Sequence, residues 1–156
     1  MKPSRAILSA GNFWDLQEIY EHHSGILYTQ VGYTGGWIPN PNYQDVISGK
    51  SGHVQAVEII YNPLETNFEE IIDNFLKAHK LNTQNQTSNT TNFIIFYLSK
   101  EQQYIAEKKL KNYPKLSKWL NTIEIRPASF FYPAEEYHQH YLIKPGQTSC
   151  CLTEEC

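Results

Sequence analysis

The chain has 156 residues, of which 40% are hydrophobic and 13% aromatic, and it carries a net charge of −3. That length suits one compact domain, and so much apolar side chain can fill a core, which excludes wholesale disorder. A pI near 6.1 leaves no basic field to hold a phosphate backbone, and no apolar run approaches the roughly 18 residues of a membrane span, so neither nucleic acid nor a membrane is expected as a partner.

The N-terminus, Met1-Lys2-Pro3-Ser4-Arg5, has a basic start, but the apolar stretch from Ala6 to Leu8 is too short for a signal peptide, so a cytoplasmic protein is expected; a monomer is a separate expectation. Arg5 to Ala10 reads as a short strand ending at Gly11. Phe13, Trp14, Leu16, Ile19 and Tyr20 then recur at helical spacing, Asn12 is a good N-cap, and Ser24-Gly25 ends the helix. Ile26 to Tyr33 follows as a strand, with Ile26, Tyr28 and Gln30 on one face and Leu27, Thr29 and Val31 on the other. Gly35-Gly36 and Pro39-Asn40-Pro41-Asn42 force a loop, and Tyr43 to Ile47 is read as one helical turn.

His53 to Tyr61 alternates and is rich in Val and Ile, so it is read as a strand that Asn62-Pro63 stops. Thr66 with Glu69 three residues on forms a capping box, and Phe68, Ile71, Ile72 and Phe75 make the apolar face of the helix behind it. Asn82 to Asn92 has no charge and nothing to bury, which predicts a loop. Phe93 to Leu98 is a strongly apolar strand, Ser99 caps a helix over Lys100 to Lys111, and Thr122 to Arg126 is a further strand. Ala134 to Leu142 reads as a short aromatic-rich helix or turn. This mixed order suggests an α+β layer of helices on a sheet, close to a split βαβ arrangement. There is one domain over residues 1–146 and a cysteine-containing tail over residues 147–156.

Three places carry candidate chemistry. Gly11-Asn12-Phe13-Trp14 lies where a strand ends and a helix starts, so outward backbone N–H groups favour negative charge there. A cysteine at that position would be a ready thiolate, whereas Asn12 reads structurally as a cap, with Phe13 and Trp14 in the core. All three cysteines, Cys150, Cys151 and Cys156, lie in the last seven residues, so the body has no disulfide framework. The tail is open to several readings: an inert end, a redox thiol, or a weak metal clip. His138 and His140 would point about 200° apart on a helix, so they do not share an ion easily and no metal site is expected.

Gly11-Asn12-Phe13-Trp14 resembles the Gly-Cys-Phe-Trp signature of the A-type peptide methionine sulfoxide reductases. The resemblance continues through Gly32-Tyr33-Thr34-Gly35-Gly36, Pro39-Asn40-Pro41-Asn42-Tyr43, Gly52-His53 and Tyr137-His138-Gln139, in family order over roughly residues 5–145. It implies an α+β two-layer sandwich with a ferredoxin-like core, a mixed sheet covered by helices. It also implies a mechanism. A thiolate attacks the sulfoxide sulfur, a neutral carboxylic acid and tyrosines hydrogen-bond the sulfoxide oxygen, and an aromatic pocket holds the S-methyl group. Further cysteines resolve the sulfenic acid to a disulfide that thioredoxin reduces.

Carried over position by position, the pocket is present as Phe13 and Trp14, and one tyrosine of the oxygen site as Tyr43. The nucleophile position holds Asn12 and the acid position Gln55. The family's aspartate position holds Gln86, and its second tyrosine aligns near Thr91. An amide cannot attack sulfur, and Gln55 can donate a hydrogen bond but cannot deliver a proton. The resemblance therefore implies a catalytically degenerate peptide-methionine (S)-S-oxide reductase acting on methionine sulfoxide in peptides or proteins. It would need no cofactor beyond thioredoxin or another dithiol if a tail thiol supports turnover. The alternative is a binding module that recognises methionine, its sulfoxide or a similar small polar group.

Overall fold

A computed structural model of the chain describes residues 2–10, 13–85, 93–111 and 123–139. In order these form β1 (Ser4–Ser9), α1 (Phe13–Glu21), β2 (Ile26–Thr34), α2 (Tyr43–Ile47), β3 (Val54–Tyr61), α3 (Phe68–Asn85), β4 (Phe93–Tyr97), α4 (Lys100–Lys111), β5 (Ile123–Pro127), β6 (Tyr132–Pro133) and a 3-10 turn over Glu136–His138. The strands make one six-stranded sheet in the order β5-β4-β1-β3-β2-β6. Among the described residues only the β4–β5 pair is parallel. The inner four strands, β4-β1-β3-β2, have the ferredoxin-like arrangement, with β3 inserted antiparallel between β1 and β2. The fold is the mixed α+β sandwich expected from the sequence.

Alternation along the strands gives the sheet two unlike faces. Ala6, Leu8, Val57 and Ile59 turn to the side where Leu16 and Tyr20 of α1, Phe68, Ile71, Ile72 and Phe75 of α3 and Ala106 of α4 complete the main core. Burying each large side chain of this kind contributes roughly 1.5–3 kcal/mol. Ile7, Ala56, Ile94 and Phe96 turn the other way and are covered by Phe131, with Ala128 beside it. One polar tie crosses the main core: the Tyr20 hydroxyl donates to the Ile71 carbonyl at 2.6 Å and so joins α1 to α3. Burial pushes the Tyr20 phenol far above its ordinary pKa, so it stays a donor at every physiological pH.

Local details depart from the sequence reading. The cap of α3 is Asn67 rather than Thr66: its side chain accepts from Glu70 N–H at 2.9 Å and its carbonyl from Ile71 N–H at 3.2 Å. Thr66 instead donates its hydroxyl to the Glu70 carboxylate at 2.7 Å. Asn is at least as good a cap as Thr, so the one-residue shift costs nothing. The polar stretch expected to be loop from Asn82 remains helical to Asn85, because extending a helix already anchored by a buried face adds one hydrogen bond per residue. Residues 86–92, which hold the rest of that stretch, lie outside the described residues.

In β2 the register shifts between Ile26 and Tyr28, so Leu27 and Tyr28 are both about half exposed (50% and 51%) instead of alternating. The two-residue strand β6 has too little periodicity to be read from sequence; the aromatic-rich segment after it forms a short 3-10 turn within its described residues, and residues 140–142 of that segment lie outside them.

β6 and Phe131 close over β2 at Gly32. A Cβ there would stand 2.4 Å from the Tyr132 carbonyl oxygen and 2.6 Å from the Phe131 ring. Only a residue without a side chain lets the strands approach so closely. Gly32→Ala is expected to lose about 1–3 kcal/mol of stability through overpacking, read as a lower urea midpoint with an unchanged slope.

Candidate active site

The site is built at the end of the sheet where β1 runs out. Ser9, the last residue of β1, donates its hydroxyl to the Gln55 carbonyl at 2.6 Å. This ties the chain just before Asn12 to the start of β3. Gln55 lies directly across from Tyr33 of β2, and Tyr33 lies across from Tyr132 of β6. Three adjacent strands thus bring one residue each to the same row.

The loop between β2 and α2 is stapled to the approach to β3. Gly36 N–H donates to His53 Nδ1 at 3.0 Å, and His53 Nε2 lies 2.8 Å from the Ile38 carbonyl. Because Nδ1 accepts, the proton sits on Nε2 and is donated to Ile38. Trp37 N–H adds a bond of 3.0 Å to the Ser51 carbonyl. A Cβ on Gly36 would stand 2.3 Å from the His53 nitrogen and 2.4 Å from the Ser51 oxygen, so the second glycine of the pair permits close approach, while the first, Gly35, takes a positive φ of 90°.

Tyr43 is the first residue of α2. Asn42 caps that turn by accepting from Asp45 N–H at 2.9 Å, while its own N–H donates to the Asp45 carboxylate at 3.0 Å. The Tyr43 N–H donates instead to Glu135 Oε2 at 3.1 Å, and the other Glu135 oxygen accepts the Tyr33 hydroxyl at 2.8 Å. The Tyr43 ring lies against the His138 ring, with centroids 4.4 Å apart. Gln139 finishes the segment: its oxygen accepts Val31 N–H at 2.9 Å and its nitrogen donates to the Val31 carbonyl at 2.9 Å. These contacts explain His138 and Gln139 as scaffold. Among the described residues no group of three or more His, Cys, Asp or Glu is placed to hold a metal ion.

Of the residues singled out from sequence, Gln55 and Tyr43 are placed at this end of the sheet. Phe13 and Trp14 open α1, where only their backbone is described. Asn12, Gln86, Thr91, Cys150, Cys151 and Cys156 lie outside the described residues. Sequence reasoning did not find the role of Glu135, because its partners stand 102 and 92 residues away in the chain. A groove of about 590 Å³ lies at the opposite end of β1, against Ser4 and Arg5, and holds none of the residues singled out. No described helix is long and apolar enough to cross a membrane.

Burial acts to raise the pKa of Glu135. It is outweighed by hydrogen bonds from the Tyr33 hydroxyl and from the backbone N–H groups of Glu135 and Tyr43, and by the nearby His138, so the carboxyl sits below its usual range. A carboxylate with a depressed folded pKa adds stability that is present above its unfolded pKa and is lost as pH falls through the folded one. Wild type is therefore expected to melt above Glu135→Gln at neutral pH, with the difference in Tm shrinking as pH falls below about 4, the usual carboxylate range. A Tm difference that stays constant to pH 3 would contradict this.

Comparison with known proteins agrees with this architecture. A family model described as peptide methionine sulfoxide reductase matches residues 4–156. The peptide methionine sulfoxide reductase MsrA of Methanococcus maripaludis is 37% identical over 151 residues, covering 94% of this chain and 95% of that protein. The protein of the same name from Nautilia profundicola is 40% identical over 152 residues, covering 94% of this chain and 87% of its own length. Among solved structures, methionine sulfoxide reductase A of Corynebacterium diphtheriae superposes with a TM-score of 0.77 at 25% identity, over 95% of this chain and 77% of that one. Mxr1 from Saccharomyces cerevisiae in reduced form gives 0.73 at 27% identity, over 96% and 90%. On the sequence match along nearly its whole length and the shared fold, the chain belongs to the peptide methionine sulfoxide reductase family.

Proposed function

We propose that the chain recognises methionine S-sulfoxide in peptides through the family's site and that its reduction of that group is impaired. The observation that carries this reading is the residue at position 12. The sequence keeps Gly11, Phe13 and Trp14 around it but has Asn12 where the family's thiolate would stand.

Reduction of a sulfoxide consumes two thiols and two electrons: the sulfur–oxygen bond breaks, the oxygen leaves as water, and a disulfide forms. The first step needs a nucleophile, and an amide nitrogen with its lone pair delocalised into the carbonyl does not supply one. Gln55 offers an N–H donor to a sulfoxide oxygen where the family has a carboxylic acid, so it supports binding without supplying the proton. Tyr43 keeps a hydroxyl for the same oxygen. Recognition thus loses less than chemistry does.

Any turnover would draw on a thiol of Cys150, Cys151 or Cys156 and on a dithiol reductant. Thioredoxin is the reductant the family resemblance implies, and the yeast protein Mxr1 has been solved in complex with Trx2. Such a thiol is not the residue at the strand–helix junction where the family's nucleophile is activated, and a misplaced nucleophile is costly.

The test is reduction of the separate S- and R-sulfoxides of a blocked methionine with dithiothreitol. The chain, Asn12→Cys, and a triple variant with Cys150, Cys151 and Cys156 all changed to Ser are compared. The wild-type rate is expected near background, since losing a nucleophile costs on the order of 10⁶-fold in a protease precedent. Asn12→Cys is expected to raise S-sulfoxide reduction selectively but incompletely, because Gln55 still lacks the proton. Efficient wild-type turnover abolished in the serine variant would overturn the impairment and make a tail thiol the nucleophile.

A further inference from the structure

We propose that Glu135 is a positioning residue for sulfoxide recognition, holding Tyr43 in place by joining the first backbone N–H of α2 to the hydroxyl of Tyr33. The proposal rests on the reading above that Tyr43 faces the sulfoxide oxygen.

The need for such a tie follows from the length of α2. Five residues make little more than one turn, too short to hold itself as a helix, so its place must be set from outside. The first N–H groups of any helix find no carbonyl within it. Here Asn42 takes the N–H of Asp45, and Glu135 takes that of Tyr43. Val46 is the one buried side chain of this turn. It anchors the far end, while at the near end the partly buried Tyr43 side chain packs against the main core. Glu135 and the His138 ring act at the Tyr43 end, one on the backbone and one on the ring.

The other end of the tie is rigid. Tyr33 is fully buried in the main core and paired on both sides, with Gln55 across one strand boundary and Tyr132 across the other. Its hydroxyl therefore offers a fixed reference, and the carboxylate transfers that reference to Tyr43 through its two oxygens. The span matters as much as the charge. Gln has the same length, and can accept the Tyr43 N–H at its oxygen while its nitrogen donates to a reoriented Tyr33 hydroxyl. Asp is one methylene shorter and cannot reach both groups from the same backbone position.

The experiment is an NMR titration of the whole chain, labelled at its tyrosine rings, with each diastereomer of N-acetyl-methionine sulfoxide methylamide. Wild type, Glu135→Ala, Glu135→Asp, Glu135→Gln, Tyr43→Phe and the Tyr43→Phe/Glu135→Ala double variant are compared. Wild type is expected to prefer the S-sulfoxide. Glu135→Ala and Glu135→Asp should weaken that binding about tenfold, the effect of one well-placed hydrogen bond, while Glu135→Gln largely keeps it. Tyr43→Phe should cause a similar loss, and adding Glu135→Ala should cost nothing more, because Glu135 acts through Tyr43.

Additive losses in the double variant would show that Glu135 merely supports the fold, and would overturn the proposal. If Glu135→Ala does not fold, the contrast between the Asp and Gln variants decides the matter. If wild type binds neither diastereomer, the functional reading fails. The geometric claim is then judged on the ligand-free Tyr43 ring resonance, which must move in the Asp variant and stay in the Gln variant.

Discussion

A single carboxylate with both oxygens engaged sets the geometry on which the site depends. Glu135 receives the Tyr33 hydroxyl at one oxygen and the Tyr43 N–H at the other, so a residue near the end of the described chain joins a core strand to a one-turn helix. Each hydrogen bond to a charged group is worth about 1.5–3 kcal/mol at best, and less where water competes. Their larger effect is geometric. The sheet defines positions in the core through backbone pairing and buried side chains, and Glu135 carries that definition out to a segment with no pairing of its own. The His53 staple does the same for the Gly35–Ile38 loop, using a neutral imidazole rather than a charge.

The division between scaffold and chemistry explains how the chain resembles its family so fully and yet departs from it at a few points. Glycines 32 and 36 are fixed by atoms that a Cβ would strike, and Gln139 by the Val31 N–H and carbonyl it bonds with its side chain. Such positions change only with loss of the fold. The departures we propose, at Asn12 and Gln55, are of another kind: an amide can cap a helix or donate a hydrogen bond, but it supplies neither a nucleophile nor a proton.

The strands and helices with strong periodicity were legible in the sequence because burial on one face imposes that periodicity: Ala6 to Leu8, Val57 to Ile59 and Phe68 to Phe75 each repeat at the spacing of their element. Elements shaped by something other than one-sided burial were not legible. β6 has two residues and owes its existence to the space left by Gly32. The bulge in β2 follows from register, which no single strand encodes. Tyr43 and Gln55 were expected at one site through family motifs, whereas the capping box that Asn42 and Asp45 form at the head of Tyr43's helix was not read from the sequence. Nor was the bridge through Glu135, because it depends on where the chain returns after about a hundred residues. Nothing in local spacing encodes such a meeting.

The Gln139 amide has a consequence beyond the site. β6 pairs with β2 at Gly32 and Tyr33, and just beyond it the Val31 carbonyl accepts the Ala134 N–H at 2.9 Å, which leaves the Val31 N–H to be satisfied at the margin of the sheet. The side-chain amide of Gln139 offers one donor and one acceptor in the pattern of a peptide unit, and it occupies both groups of Val31. It is in effect a strand one residue long. Open margins invite pairing with a second molecule, the route by which sheets grow into aggregates. By helping to close this one with a side chain, the fold ends the described sheet at β6 and keeps the surface beside the candidate site from becoming a template for its own self-association.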